Sequence, residues 1–414
     1  MEYLSKIVLF FSLFFTILLS ALGIKAQNYP CYLYGSITTV DGDVYEGPIR
    51  WNDEEVFLTD VFNSEKIENP YLKYIKEEKK RVVEYKRKRR TSWYRVEYSD
   101  EQSYSAFNRK FECRFGDIKS ISITGRESVN LELKTGKFIN LSGGSNDVGN
   151  QVWIMDHELG LLKIDWNRID VVNFYSPEKQ PVENFGEPIY GKITTTIGEF
   201  TGFIQWDHDE RLLQDKLDGE SRDGDMDIPF TKISKIQKEE NGSRITLLSG
   251  RNLMLRSSND VSRNNRGIIV TIPNVGRIDF TWKHFLSLDL LPLPQSAMTC
   301  FSEFNDSERL YGKITNNEGE TFEGVIVYDL DEAMDSEILN GLNDELEFSL
   351  PFRNVRKIIP KAYNYCLVEL KSGQNLFLGD QTDVSGKNAG ILIFTGNDNC
   401  KIFDWEDIQE IEFF

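Results

Sequence analysis

The chain has 414 residues, of which 40% are hydrophobic and 28% charged, enough apolar material for about three cores at ~150 residues per domain. This composition excludes a collagen-like, low-complexity or largely disordered chain. Lys and Arg total 48 against 66 Asp and Glu, and the net charge of -18 opposes nonspecific association with nucleic acid.

At the N-terminus, Lys6 precedes an uncharged apolar run from Ile7 to Ile24 that ends among small residues, Ala21, Gly23 and Ala26. The pattern is that of a secretory signal peptide over residues 1–26, cleaved near Ala26. An uncleaved anchor helix is the competing reading, because the run is just long enough to span a bilayer. No later stretch approaches that length, so the exported remainder is expected without a transmembrane span, in the periplasm, on the outer surface or secreted. The five Cys (31, 113, 300, 366 and 400) are odd in number and irregularly spaced, which argues against a dense disulfide framework. The three scattered His (157, 208 and 284) give no zinc pattern.

An internal repeat organises the rest of the chain. Each of three copies opens with Tyr-Gly-x-Ile-Thr, at Tyr34, Tyr190 and Tyr311, followed by glycines and an Ile-x-aromatic ending at Trp51, Trp206 and Tyr328. That reads as strand, glycine turn, strand. A second half starts at Phe115, Phe230 and Phe352 and continues into a hairpin of alternating apolar residues. Its turns are Thr135-Gly136, Ser249-Gly250 and Ser372-Gly373, with the glycines expected at positive φ. Asp147, Asp260 and Asp383 come next, expected to serve loop hydrogen bonding, then Trp166, Trp282 and Trp405 and a closing strand. The Phe-to-Trp separations of 51, 52 and 53 residues mark duplication of one unit.

The expected fold class is therefore all-β: three tandem antiparallel repeat units, small barrels or sandwich-like, about 100 residues each. The boundaries read as 30–176, 188–291 and 309–414, with Pro-bearing linkers at 177–187 and 292–308. The first unit carries an insertion at about 69–110. In it, Lys73 to Arg90 hold ten Lys or Arg against three Glu, and Asn69-Pro70 ahead suggests a capped, charged helix.

Three groups of residues are candidate sites. The basic run Lys86, Arg87, Lys88, Arg89 and Arg90 reads as a solvated helix face, or as a contact for an acidic partner. Acids follow each first-half aromatic: Trp51 with Asp53 and Glu54, Trp206 with Asp207 and Asp209, and Tyr328 with Asp331. Carboxylates beside an aromatic platform suit a sugar or a hard cation, while a packed aromatic with acids in a solvated turn is the structural alternative. Asp223, Asp225 and Asp227 alternate as in a calcium loop, but the Gly and Glu that such a loop needs are out of register. Cys366 falls on the inward face of its strand and reads as a buried hydrophobe.

No nucleophile elbow, zinc-protease helix, phosphate loop or dinucleotide fingerprint is present, so neither catalytic residues nor a cofactor are assigned. The sequence reads as an exported, non-enzymatic binding or assembly protein whose partner is another envelope or extracellular protein, or a glycan. A carbohydrate-active or other envelope enzyme using surface carboxylates is the alternative.

Overall fold

Period-two alternation is realised as strands with one buried edge of side chains. Val129, Leu131 and Leu133 are fully buried while Asn130 and Glu132 between them are not. The computed structural model describes residues 32–52, 54–74, 110–143, 147–179, 181–294, 299–304, 306–396 and 399–414. The signal stretch 1–26, Asp53 and the basic run Lys86 to Arg90 lie outside the described residues, as does most of the expected helical insertion.

The described chain is all-β and antiparallel. It begins with β1 (Tyr34–Thr39), β2 (Val44–Trp51), β3 (Val61–Lys66), β4 (Lys110–Arg114), β5 (Ile118–Gly125), β6 (Ser128–Leu133), β7 (Phe138–Ser142), β8 (Val152–Asp156), β9 (Gly160–Ile164) and β10 (Ile169–Phe174). Next come β11 (Tyr190–Thr195), β12 (Glu199–Gln205), β13 (Lys216–Ser221), β14 (Gly224–Pro229), β15 (Ile233–Glu239), β16 (Gly242–Leu247), β17 (Asn252–Leu255), β18 (Ile268–Ile272), β19 (Gly276–Phe280) and β20 (Phe285–Leu290). The last are β21 (Tyr311–Asn316), β22 (Thr321–Val327), β23 (Ile338–Asn343), β24 (Leu346–Pro351), β25 (Val355–Ala362), β26 (Tyr365–Leu370), β27 (Asn375–Gly379), β28 (Ile391–Phe394), β29 (Cys400–Phe403) and β30 (Ile408–Phe413).

The opening strand pairs with both its successor and the closing strand: β1 with β2 and β10, β11 with β12 and β20, β21 with β22 and β30. The closing strands also take β5, β15 and β25, and the hairpins β8–β9, β18–β19 and β28–β29 hang from β2, β12 and β22. The glycine of the opening signature is required by this crossing. A Cβ on Gly35 would stand 1.8 Å from the Asn173 carbonyl oxygen of β10. Gly136, Gly250 and Gly373 take φ of 80°, 83° and 89° in the tight turns after β6, β16 and β26.

β1 to β10 enclose one apolar cluster around Trp51, Phe62, Phe115 and Trp166. The cores of residues 189–288 and 310–413 merge into a single cluster. They merge because β19 pairs with β24, Ile278 opposite Phe348, and Val275 at the β18–β19 turn is buried there. The stretch between β20 and β21 also packs: Phe304 is 4% exposed and joins the first core, against Gly116.

Candidate functional site

Each first-half aromatic opens a five-residue turn closed by two reciprocal backbone hydrogen bonds. Trp206 N–H donates to the Glu210 carbonyl at 2.8 Å and Glu210 N–H returns to Trp206 at 2.9 Å. Trp51 with Glu55, and Tyr328 with Glu332, do the same at 2.8 to 3.1 Å. The turns require left-handed backbone, with φ of 55° at Asn52, 50° and 64° at Asp207 and His208, and 47° and 55° at Asp329 and Leu330. Asn and Asp tolerate that region best among side-chain-bearing residues, which explains an Asx residue directly after each aromatic.

The aromatics are core residues. Trp51, Trp206 and Tyr328 have no exposed surface, and the Trp51 ring meets Phe62, Phe115, Trp166 and Phe174. Of the two readings, the packed aromatic describes these residues and the platform does not, since no ring face is open; the acids Asp207 and Asp331 are buried rather than solvated. Their polar atoms fix the Asp loops instead: the indole N–H groups of Trp51 and Trp206 donate to the carbonyls of Asp147 and Asp260 at 2.9 Å, and the Tyr328 hydroxyl donates to that of Asp383 at 2.5 Å. The carboxylates of these three Asp accept from Asn63, Asp218 and Asn340 N–H at 2.6 to 2.7 Å.

Beside each Asp lies the Glu that closes the turn. Glu55, Glu210 and Glu332 each bury an Oε2 that has no hydrogen-bond partner among the described residues. Burial, reinforced by the neighbouring Asp carboxylates, pushes Glu210 up to about 9 and lifts Glu55 and Glu332 well above the usual range. Burial also raises Asp147 to about 7, and Asp260 and Asp383 to about 6. The result is three Glu–Asp pairs, one beside each first-half aromatic, in which burial favours the protonated form.

The remaining sequence candidates scatter. Asp207 is fully buried and held by Arg266, whose Nε and Nη2 lie 3.0 and 2.8 Å from its Oδ2, and Asp209 pairs with the same guanidinium. Asp331 is 2% exposed and bonds Lys66 Nζ at 2.9 Å. Asp225 and Asp227 sit on β14 with Asp223 at its turn, so a strand replaces the loop that calcium ligation needs. Among the described residues, the carboxylates that do converge are Asp207, Glu210 and Asp260, with ligand oxygens within 4.8 Å of one another. They have the donor chemistry for a hard cation, but Arg266 already supplies positive charge to Asp207.

Among the described candidate acids, Glu54 faces a large cavity, of about 1320 Å³. Asn52, Glu54, Glu55, Asn63, Asp147 and Arg277 form its half-buried inner part, and Arg126, Asp165 and Asp170 stand on its rim. Arg277 reaches in from β19, close enough to stabilise the charged forms of Glu54 and Asp147. Its guanidinium nonetheless makes no hydrogen bond or ion pair among the described residues. In sequence Glu55 directly follows the acids Asp53 and Glu54 after Trp51. Arg277 and Asn63 carried no signal, because they reach the cavity only through the packing of parts of the chain distant in sequence.

No protein-family model matches the chain, and no curated protein matches it. A solved structure of a streptogramin B lyase is similar over 72% of this chain and 94% of its own, at 10% identity. Its TM-score of 0.11 leaves that likeness without weight.

Proposed function

We propose that this chain is an exported, non-enzymatic binding protein of the cell envelope or extracellular space. It is built from three duplicated β units and seats a hydroxyl-rich ligand, a glycan, in the cavity beside Glu54. The apolar run Ile7 to Ile24 supports export, and the recurrent strand pairing supports duplication. The observation that carries the ligand assignment is the composition of the cavity. Amides, carboxyls and a guanidinium with no hydrogen bond among the described residues line about 1320 Å³, offering donors and acceptors in the mixture that hydroxyl groups use. Calorimetric titration with a panel of neutral and acidic oligosaccharides tests it. Binding that falls at least tenfold in Glu54→Gln and Arg277→Ala is expected, and a folded protein that binds no glycan would overturn the reading.

A hydrolytic reading has one specific observation in its favour. Glu55, held protonated by burial, shares the cavity with Asp147, and an acid beside a second carboxyl is the pairing that glycoside cleavage uses. Release of reducing ends from a bound oligosaccharide, abolished in Glu55→Gln, would establish it, whereas unaltered oligosaccharide after prolonged incubation would leave binding alone.

A further inference from the structure

The junction between β19 and β24 has unused counterparts elsewhere in the chain. At that junction Arg277, Ile278 and Asp279 lie opposite Ser349, Phe348 and Glu347. Val275, at the tip of the β18–β19 hairpin, is 4% exposed, and its carbonyl accepts from Asn354 Nδ2 at 3.1 Å. The approach is close: a Cβ on Gly276 would fall 2.3 Å from the Ser349 carbonyl oxygen.

The counterpart of the inserting hairpin in residues 34–174 is β8–β9. Gly160 takes the place of Gly276, with φ 75°, but nothing lies within 4 Å of where its Cβ would be. Leu159, in the place of Val275, is 64% exposed, and Leu161 is 54% exposed. β9 pairs with β8 alone among the described strands.

The counterpart of the receiving edge is β14. It pairs with β13 in the register that β24 keeps with β23, Gly219 opposite Met226 matching Gly341 opposite Phe348. Its other edge takes no described strand. Beside it is a mostly apolar groove of about 390 Å³ among Met226, Ile228, Leu247, Leu248 and Leu253, with Leu248 70% exposed. This groove corresponds to the place beside Pro351 and Lys371 where the β18–β19 turn sits.

We infer that the β8–β9 hairpin of one copy of this chain adds to the open edge of β14 in a second copy, with Leu159 filling the groove. Carrying the β19–β24 register across puts Leu162 opposite Met226 on the inner face, and Lys163 opposite Asp225 and Leu161 opposite Asp227 on the outer face. An apolar pair and an ion pair then fall together, and backbone hydrogen bonds close two open edges. The third counterpart, β29, fits less well. It would set Lys401 against Met226 and Ile402 against Asp225, and its Ile402 already packs against the buried cluster of Val327, Leu330 and Leu392. Each copy has one donor hairpin and one acceptor edge on different surfaces, so the contact is heterologous and propagates head to tail unless it closes into a ring. This inference rests on the duplication in the proposed function and is independent of the glycan cavity.

Sedimentation velocity of the full chain from about 1 to 100 µM is the test. Species larger than a monomer are expected to grow with concentration. Leu159→Asp and Lys163→Glu should each weaken association at least tenfold with unchanged circular dichroism, and Asp225→Lys should restore it in the Lys163→Glu background. A monomer across the whole range, or an oligomer indifferent to Leu159→Asp, would overturn the inference. Glycan binding measured on the same variants separates its failure from failure of the cavity assignment.

Discussion

Lys66, on β3, places its ammonium 2.9 Å from Asp331 Oδ1 and 2.5 Å from Glu337 Oε1, tying the first strands of the chain to the turn after Tyr328. The trio is buried, with Lys66 8%, Asp331 2% and Glu337 3% exposed. Glu337 also accepts the N–H groups of Ala333 and Met334 at 2.6 and 2.9 Å, so it cannot turn away to solvent. The two carboxylates hold the Lys66 ammonium protonated far above its ordinary range, against the opposing effect of burial. Lys66→Met removes the cation that these two buried acids share, for which about 3–5 kcal/mol of destabilisation is expected. Urea unfolding measures it, and a midpoint unchanged from wild type would show that these acids take up protons at little cost.

Gly250 ends the tight turn between β16 and β17 with φ 83° and no atom within 4 Å of a notional Cβ. Strain there comes from the backbone alone. Gly250→Val should cost about 1–3 kcal/mol and Gly250→Asn clearly less, because Asn enters the left-handed region more readily. Equal losses for the two variants in denaturant titration would place the cost in side-chain contacts that the turn does not have.

Much of the internal pattern was legible because it is local. Thr135-Gly136, Ser249-Gly250 and Ser372-Gly373 mark turns by the backbone geometry that glycine permits, and Val129, Leu131 and Leu133 mark a buried strand face by period. The acids after Trp51, Trp206 and Tyr328 were equally visible but point to a different cause: Asn52, Asp207 and Asp329 serve left-handed turns under packed rings. Contacts between distant parts of the chain left no trace. Arg277 reads as an ordinary polar position on β19, and only the packing of parts of the chain far apart in sequence brings it beside Glu54. Arg211 likewise meets buried Asp60 across 151 residues, an encounter that neither local pattern announces.

The basic run Lys86 to Arg90 interrupts a chain of net charge -18, and its counterpart is missing from the two later copies of the pattern. We propose that it contacts an acidic envelope or extracellular partner. On the sequence reading of this run as a solvated face, reversing Lys86, Arg87, Lys88, Arg89 and Arg90 to Glu should leave thermal stability nearly unchanged, since charges at such a face add little to folding. Recovery of partners from envelope fractions should fall on reversal, and also at ~0.5 M salt, where screening shortens the reach of charge to a few Å. Identical recoveries with intact and reversed protein at low and high salt would remove the docking role.

The Glu–Asp pairs predict an unusual stability profile. Folding raises the carboxyls of Glu55, Glu210 and Glu332, and those of Asp147, Asp260 and Asp383, so the folded chain binds more protons than the unfolded one between the ordinary carboxyl range and these elevated values. Stability tied to those protons is fully present below the unfolded range and is lost as pH rises. Asp260 and Asp383 lose it near pH 6, Asp147 near 7 and Glu210 near 9. The melting temperature should therefore fall from pH 5 to pH 9. Glu210→Gln, a neutral amide of the same shape, should hold stability near wild type at pH 6 and flatten the decline toward pH 9. Asp260→Asn should cost about 1–2 kcal/mol at any pH in this window by weakening the acceptor for Asp218 N–H. Scanning calorimetry across the range decides it: a melting temperature that climbs toward alkaline pH would mean that these carboxyls ionise in the folded chain as they do in water.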